Sequence, residues 1–293
     1  MATKRSTTPI EVESIKRKMS STKKTIEFYS GRDSLGNYIR APENYDSTRV
    51  IAYDDEFVVI RDMYPKSQIH YLVLARERQY ARQQHPIEAL GDEVFLARMR
   101  RKVIQVREMV VRELQKERLA GREKEEEKRT KICASLVGDG EKEEEQRREE
   151  NIGGNDASKE RLLVSRSSDS VVEEVASAAA VTDEQRGRDW DREVIAGIHA
   201  RPSMNHLHVH VLSIDRHSKW MKHRNHYNSF TTRFFIPLED FPLAKDDVRR
   251  FPDGAEAFLK SDLKCWRCGL NFGNRFSSLK KHLAREFEEW KKE

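Results

Sequence analysis

The chain predicts an α+β fold, in which helices pack on an antiparallel sheet and a small module with a core of its own follows at the C-terminal end. Three observations carry this. Short β-favouring runs separated by polar turns occur within residues 49–75 and again within 193–212. Between them, Phe95, Met99, Val103, Val106, Val110 and Leu114 recur at the spacing that lines one face of a long helix. Near the end, Cys265-Trp266-Arg267-Cys268 is followed after thirteen residues by His282 and then Glu286.

Taken in order, residues 1–25 are polar and basic, with Lys16-Arg17-Lys18 and Lys23-Lys24. A solvated tail and a nuclear-import or DNA-contacting arm are both open readings of such a segment. Arg49 to Tyr53 and Phe57 to Ile60 read as strands around the acidic turn Asp54-Asp55-Glu56, and His70 to Leu74 as a third. One amphipathic helix is expected from about Ile87 to Leu119. From about 120 to 187 the chain turns to charge, then to Ser-, Ala- and Glu-rich sequence. That composition predicts a largely disordered surface insertion, although residues 121–131 allow the helix to continue. Order is expected again near Trp190, with a strand from Glu193 to His199 leading into the next. The boundaries that follow are a sheet domain over 26–240, interrupted by the insertion, and a terminal module over 241–293.

Of the 293 residues, 37% are hydrophobic and 36% charged, with a formal net charge of +5. Setting the insertion aside leaves about 220 residues, enough for one core and a small satellite. A charge of +5 suits a polyanion-binding protein only modestly, so its distribution matters more. Three cysteines, two of them in a metal-type spacing, leave only Cys133, and no disulfide framework follows, which points to an intracellular protein. No apolar run approaches a membrane span, and Met1-Ala2-Thr3-Lys4-Arg5 does not open a secretory signal.

The segment His206-Leu207-His208-Val209-His210-Val211-Leu212 carries the chemistry. On a strand, alternate side chains share a face, so three imidazoles stand opposite Leu207, Val209 and Val211. Packing does not explain such a row. Imidazole binds metals, exchanges protons near neutrality and attacks phosphorus. The surrounding residues favour the last of these.

The alternation His-φ-His-φ-His-φ-φ resembles the signature of the histidine triad nucleotide hydrolases and transferases. Ile198-His199-Ala200-Arg201-Pro202-Ser203-Met204-Asn205, running into His206, is similar specifically to the aprataxin branch. Three further blocks agree with that branch. They are Val58 to Lys66 with His70 to Leu74, then Lys222 with His226-Tyr227-Asn228-Ser229-Phe230, and the Cys-Cys-His-Glu set of fungal aprataxins. The resemblance implies a histidine triad (HIT-like) sheet and a hydrolase that removes AMP from 5′-adenylated DNA left by abortive ligation. His208 is then the nucleophile that forms a covalent histidine–AMP, and His206 and His210 orient it and bind phosphate. His199 or His217 donates a proton to the leaving 5′-phosphate. Asp62 receives the ribose hydroxyls, while Met63, Lys66, Ser203, Lys222 and His226 contact nucleotide or phosphate. The implied partners are nicked or broken DNA with 5′-AMP ends and AMP as product, handled by a monomer of the nucleus, with the cytoplasm as a second location, and with no membrane role. A hydrolase of small nucleotides, such as adenosine phosphoramidates, is the alternative, because the same pocket would serve it.

In the terminal module, C-x2-C-x13-H-x3-E is a zinc-finger spacing with a carboxylate in the fourth slot. His282 and Glu286 lie one turn apart on a helix expected over about Ser277–Trp290, and Phe272, Phe276 and Leu279 supply a small core. Cys265, Cys268, His282 and Glu286 would saturate one structural Zn2+ per chain, with no cofactor in the chemistry. Lys280, Lys281 and Arg285 project from the same helix and are candidates for DNA phosphates; the resemblance implies that Phe28 and Arg32, in the stretch where such relatives wedge an N-terminal helix against the terminal base pair, contact the DNA end. A separate core for this module would make it a DNA-affinity element that leaves the pocket unaffected.

Overall fold

The structure, a computed structural model, describes residues 29–83, 85–150 and 188–293. Phe28, the basic segment before it and the Ser-, Ala- and Glu-rich part of the insertion lie outside these residues. Six strands form one antiparallel sheet: β1 (Val50–Tyr53), β2 (Phe57–Arg61), β3 (His70–Ala75), β4 (Val194–His199), β5 (His208–Ser213) and β6 (Phe235–Pro237), in the order β1-β2-β3-β5-β4-β6. The acidic turn between β1 and β2 closes on Asp54, whose Oδ1 accepts from the backbone N–H of Glu56 and Phe57 at 2.9 and 2.8 Å.

Register decides what each face carries. His208 pairs with Leu74, His210 with Leu72 and Gly197 with His210. Directly paired residues point the same way, so Val58, Ile60, His70, Leu72, Leu74, His208 and His210 share one face. The other face presents Phe57, Val59, Tyr71, Val73, Val209 and Val211, all buried in the main core. Gly197 fits because a Cβ there would overlap the carbonyl of Ile236 on β6.

The helix expected from Ile87 is two helices. α1 (Gly36–Arg40) precedes the sheet, and α2 (Pro86–Ala89) ends before α3 begins at Glu93. The break is local chemistry. Asp92 is a helix N-cap whose Oδ1 accepts from Phe95 N–H at 3.0 Å. α3 (Glu93–Glu150) buries Phe95, Leu96, Met99, Val103, Val106, Val110 and Leu114 against the second sheet face. It also continues to Glu150, well past the residues that touch the sheet, through part of the stretch expected to be disordered. Three further helices follow: α4 (Arg224–Thr231), α5 (Pro252–Leu259) and α6 (Phe276–Lys292). Among the described residues no helix is long and apolar enough to cross a membrane.

Candidate active site and metal centre

The imidazole-bearing sheet face opens into a cavity of about 820 Å³. Its inner wall is apolar, with Leu35, Tyr38, Ile60 and Leu72, and its other end carries His70, His199, His208 and His210. Asp62, Met63, Lys66, Ser203 and His226 also line it, as the sequence predicts. Apolar walls around a few convergent polar groups are what a nucleoside ligand requires.

Hydrogen bonding fixes where the protons sit. His208 Nδ1 lies 2.7 Å from the carbonyl oxygen of His206. A carbonyl only accepts, so Nδ1 holds the proton and Nε2 keeps a free lone pair. A second chain of bonds begins at the backbone N–H of Lys66, which donates to His70 Nδ1 at 3.2 Å. His70 must then carry its proton on Nε2, where it faces His210 Nδ1 at 2.9 Å. That leaves the proton of His210 on its own Nε2, which has no protein partner among the described residues. Nε2 of His199 is likewise buried without one.

These assignments hold for neutral rings, and burial keeps the rings neutral. It pushes His70 down to about 4 and holds His199 and His210 well below the ordinary imidazole value. His208 is lowered by the same cause, partly offset by its bond to the His206 carbonyl and by the Asp62 charge. Burial also lowers the Lys66 ammonium, with Asp62 opposing. Asp62 serves two neighbours, since one oxygen accepts from Tyr64 N–H at 2.7 Å and the other lies 3.4 Å from His70 Nδ1.

Several expected residues are placed elsewhere. His206 precedes β5, and its ring meets Tyr29 edge-on at 5.9 Å, away from the cavity lining. The approach is close, because a Cβ on Gly36 would come within 2.9 Å of His206 Nε2. It is the His206 backbone that orients His208. His217 is also outside the lining. Its N–H donates to Asp215 at 2.9 Å and its ring stacks on Phe287 of α6 at 4.3 Å. Lys222 stays exposed, its N–H donating to His226 Nδ1 at 3.2 Å. Arg32 lines the neighbouring grooves, beside Pro202 and Arg201. The residue missed by sequence reasoning is His70, together with Phe230, whose ring meets His70, His199 and His210 edge-on at 4.6 to 5.6 Å. Alternation within β3 puts His70 on the face of Leu72 and Leu74; pairing with β5, which turns that into the imidazole face, is not written in the local sequence.

At the other centre, donor atoms of Cys265, Cys268, His282 and Glu286 lie within 4.8 Å of one another. Cys268 Sγ is 3.2 Å from His282 Nε2, which is 3.2 Å from Glu286 Oε1. Arg267 NH1 holds the second Glu286 oxygen at 2.7 Å and keeps that carboxyl below its usual range. Two sulfurs, one imidazole and one anionic oxygen converging in this way fit a tetrahedral zinc. Lys280, Lys281 and Arg285 are exposed on α6.

This module does not stand on a core of its own. Leu263, Cys265, Leu279 and Leu283 pack with Met221 and Tyr227, and Tyr227 belongs to α4, the helix that brings His226, Ser229 and Phe230 to the cavity. The Tyr227 hydroxyl donates to Lys264 O at 2.8 Å and accepts from Trp266 N–H at 2.9 Å. At the far end of α6, Trp290 is buried in the main core and donates to Glu193 at 2.5 Å. The expectation of a separate core is therefore corrected: the shared helix α4 and the long helix α6 join module and sheet.

Two family models match the chain. The C2HE / C2H2 / C2HC zinc-binding finger matches residues 231–289, and the family described as scavenger mRNA decapping enzyme C-term binding matches 38–119 and 157–226. The aprataxin-like protein of Saccharomyces cerevisiae is 31% identical over 259 residues, covering 88% of this chain and 96% of that one. That of Schizosaccharomyces pombe is 28% identical over 261 residues, covering 89% of this chain and 83% of its own length. The crystal structure of the aprataxin ortholog Hnt3 in complex with DNA superposes with a TM-score of 0.51 at 26% identity, over 88% of this chain and 96% of that one.

Proposed function

This chain belongs to the aprataxin family, and on that premise we propose that it is a DNA-end-processing hydrolase that removes AMP from 5′-adenylated DNA. The observation that carries the reading is the proton placement at His208, which lines the cavity with Nδ1 tied to the His206 carbonyl and Nε2 left with its lone pair. Nε2 attacks the phosphorus of the adenylate, and the bond from that phosphorus to the DNA 5′-phosphate oxygen breaks. The departing phosphate takes the electron pair and is stable as an anion, so hydrogen bonding suffices where full protonation is not needed. The Nε2–H of His210 is placed to donate to oxygens on which charge builds up. Of the two candidates for assisting departure, His199 lines the cavity and His217 does not. Water then cleaves the P–N bond, which yields AMP and returns His208. The leaving-group chemistry would also serve a small adenylate; what favours DNA is the exposed basic residues of α6 and the likeness to a DNA-bound relative.

In this reading the cavity's apolar end takes adenine, Asp62 the ribose hydroxyls, and Ser203, Lys66 and His226 the phosphates. Cys265, Cys268, His282 and Glu286 would hold one zinc, which would supply structure; four protein ligands would leave it no position for reacting water. The test is AMP release from a nicked, 5′-adenylated duplex set against a small adenosine phosphoramidate. Faster turnover of the duplex at limiting concentration supports the reading, and strong preference for the phosphoramidate contradicts it.

A pH profile follows from the buried imidazoles. Because His208 is held below the ordinary imidazole value, attack-competent enzyme persists into mild acid. kcat/KM should hold from neutral pH down through the ordinary imidazole value of about 6.5 and decline only below it. Stability moves the same way. His70 binds a proton only near pH 4 when folded but near 6.5 when unfolded. The unfolded chain therefore holds more protons between those values, so the contribution of neutral His70 is complete above the higher value and lost on acidifying towards the lower. That contribution is on the order of 3 kcal/mol. An acid limb centred at or above the ordinary imidazole value would contradict this.

A further inference from the structure

At the cavity mouth, Met63 and Tyr64 are 54% and 51% exposed, unusual for large apolar groups in a well-ordered turn. The turn is held firmly. Asp62 accepts from Tyr64 N–H, Lys66 Nζ donates to the Tyr64 carbonyl, and Ser218 Oγ donates to Pro65 O at 2.6 Å. Ser218 Oγ in turn accepts from Trp220 N–H at 3.1 Å, so the loop after β5 and the turn before β3 form one rim. On that rim Trp220 stands edge-on to Tyr64, with centroids 4.8 Å apart and planes at 78°. The ammonium groups of Lys222 and Lys219 lie 4.6 and 5.6 Å from the Trp220 ring centre.

Charge pairing differs between this rim and three arginines of a neighbouring groove. In the neighbouring grooves Arg82, Arg201 and Arg250 each face a carboxylate, of Asp33, Glu256 and Glu88. Among the described residues, Lys219 and Lys222 make no ion pair. A braced aromatic pair, Tyr64 exposed and Trp220 half-buried, beside cations without a carboxylate partner suits a ligand that offers flat π faces and negative charge in alternation, which is a nucleic-acid strand. An apolar protein surface would leave the two ammonium groups without partners. Tyr64 lines both the rim and the cavity, so a strand leaving the cavity crosses the rim at once.

We propose that Met63, Tyr64 and Trp220 form a stacking platform for the base of the nucleotide bearing the adenylated 5′-phosphate, with Lys219 and Lys222 holding the next phosphates. The proposal rests on the DNA-adenylate reading above. It gives the enzyme a preference for ends whose terminal base can leave the stack, a frayed or mismatched end over a well-paired one.

The test is single-turnover AMP release from adenylated duplexes that carry either a base or an abasic residue at the 5′-terminal nucleotide. For wild type, removing the base should cost about tenfold. Trp220→Ala should lose a similar factor on the intact substrate and little more on the abasic one, while Trp220→Phe keeps most of the activity. Zinc content and thermal melting of each variant report that it folds, and the loss in Trp220→Ala should be several-fold larger on DNA than on a small adenosine phosphoramidate. If adenylated DNA is cleaved and the abasic change costs nothing, or if the two losses multiply, the platform is overturned. If wild type turns over the phosphoramidate but leaves adenylated DNA intact, the substrate reading falls and takes the platform with it.

Discussion

Replacing His208 by alanine should lower AMP release from adenylated DNA by several powers of ten while leaving binding of the same DNA largely intact. The expected loss is on the order of 4 kcal/mol or more of barrier. The other two histidines of the triad cannot take over. His210 presents a proton on Nε2 and its Nδ1 is engaged by His70, and His206 directs its ring towards Tyr29. Asparagine at 208 makes a sharper comparison, since its amide can still donate to the His206 carbonyl but offers no nucleophilic nitrogen. Activity within tenfold of wild type in either variant would remove His208 from the role assigned to it.

The second large effect concerns the metal centre. Cys268→Ala should lose zinc and with it hydrolysis of both adenylated DNA and a small adenosine phosphoramidate, each by more than about tenfold. A structural zinc contributes on the order of 10 kcal/mol to the folding of small modules, comparable to the whole stability of many domains. Here the module's core includes Tyr227, on the same helix as His226, Ser229 and Phe230. With Lys264 and Trp266 released, the Tyr227 hydroxyl loses both its hydrogen bonds and α4 loses its backing. Retained phosphoramidate hydrolysis in a zinc-free variant would show that the pocket stands without the module. Substituting Lys280, Lys281 and Arg285 together is the contrasting case. The fold should survive, and only salt-sensitive affinity for DNA should fall.

That contrast shows what the sequence could and could not reveal. Features fixed by short spacing were legible: the alternating imidazoles, the Cys-Cys-His-Glu set and the apolar stripe of α3 from Phe95 to Leu114. The N-cap at Asp92 is equally local, and it was hidden only because Ile87 to Leu90 continues the apolar rhythm across it. Features that depend on distant pairing were not legible. His70 meets His210 across 140 residues of chain, because β3 pairs with β5 around the long insertion. Tyr227 reads as one more aromatic in an active-site loop until the module folds against its back. The His206 ring and His217 lie away from the cavity for a related reason. A strand pattern assumed through His206 begins at His208, and the chain after Asp215 turns towards α6 and away from the cavity.

The measurement that bears most directly on the central claim is a search for the covalent intermediate. DNA carrying a labelled 5′-adenylate is mixed with enzyme, quenched within milliseconds in alkaline denaturant, which preserves a P–N bond, and the chain is analysed for bound label. Label is expected on the peptide containing His208, appearing with the 5′-phosphate DNA product and decaying as free AMP forms, with none in His208→Ala. Release of AMP in step with DNA product, with no label on the chain at any time in an enzyme that turns over, would contradict that claim.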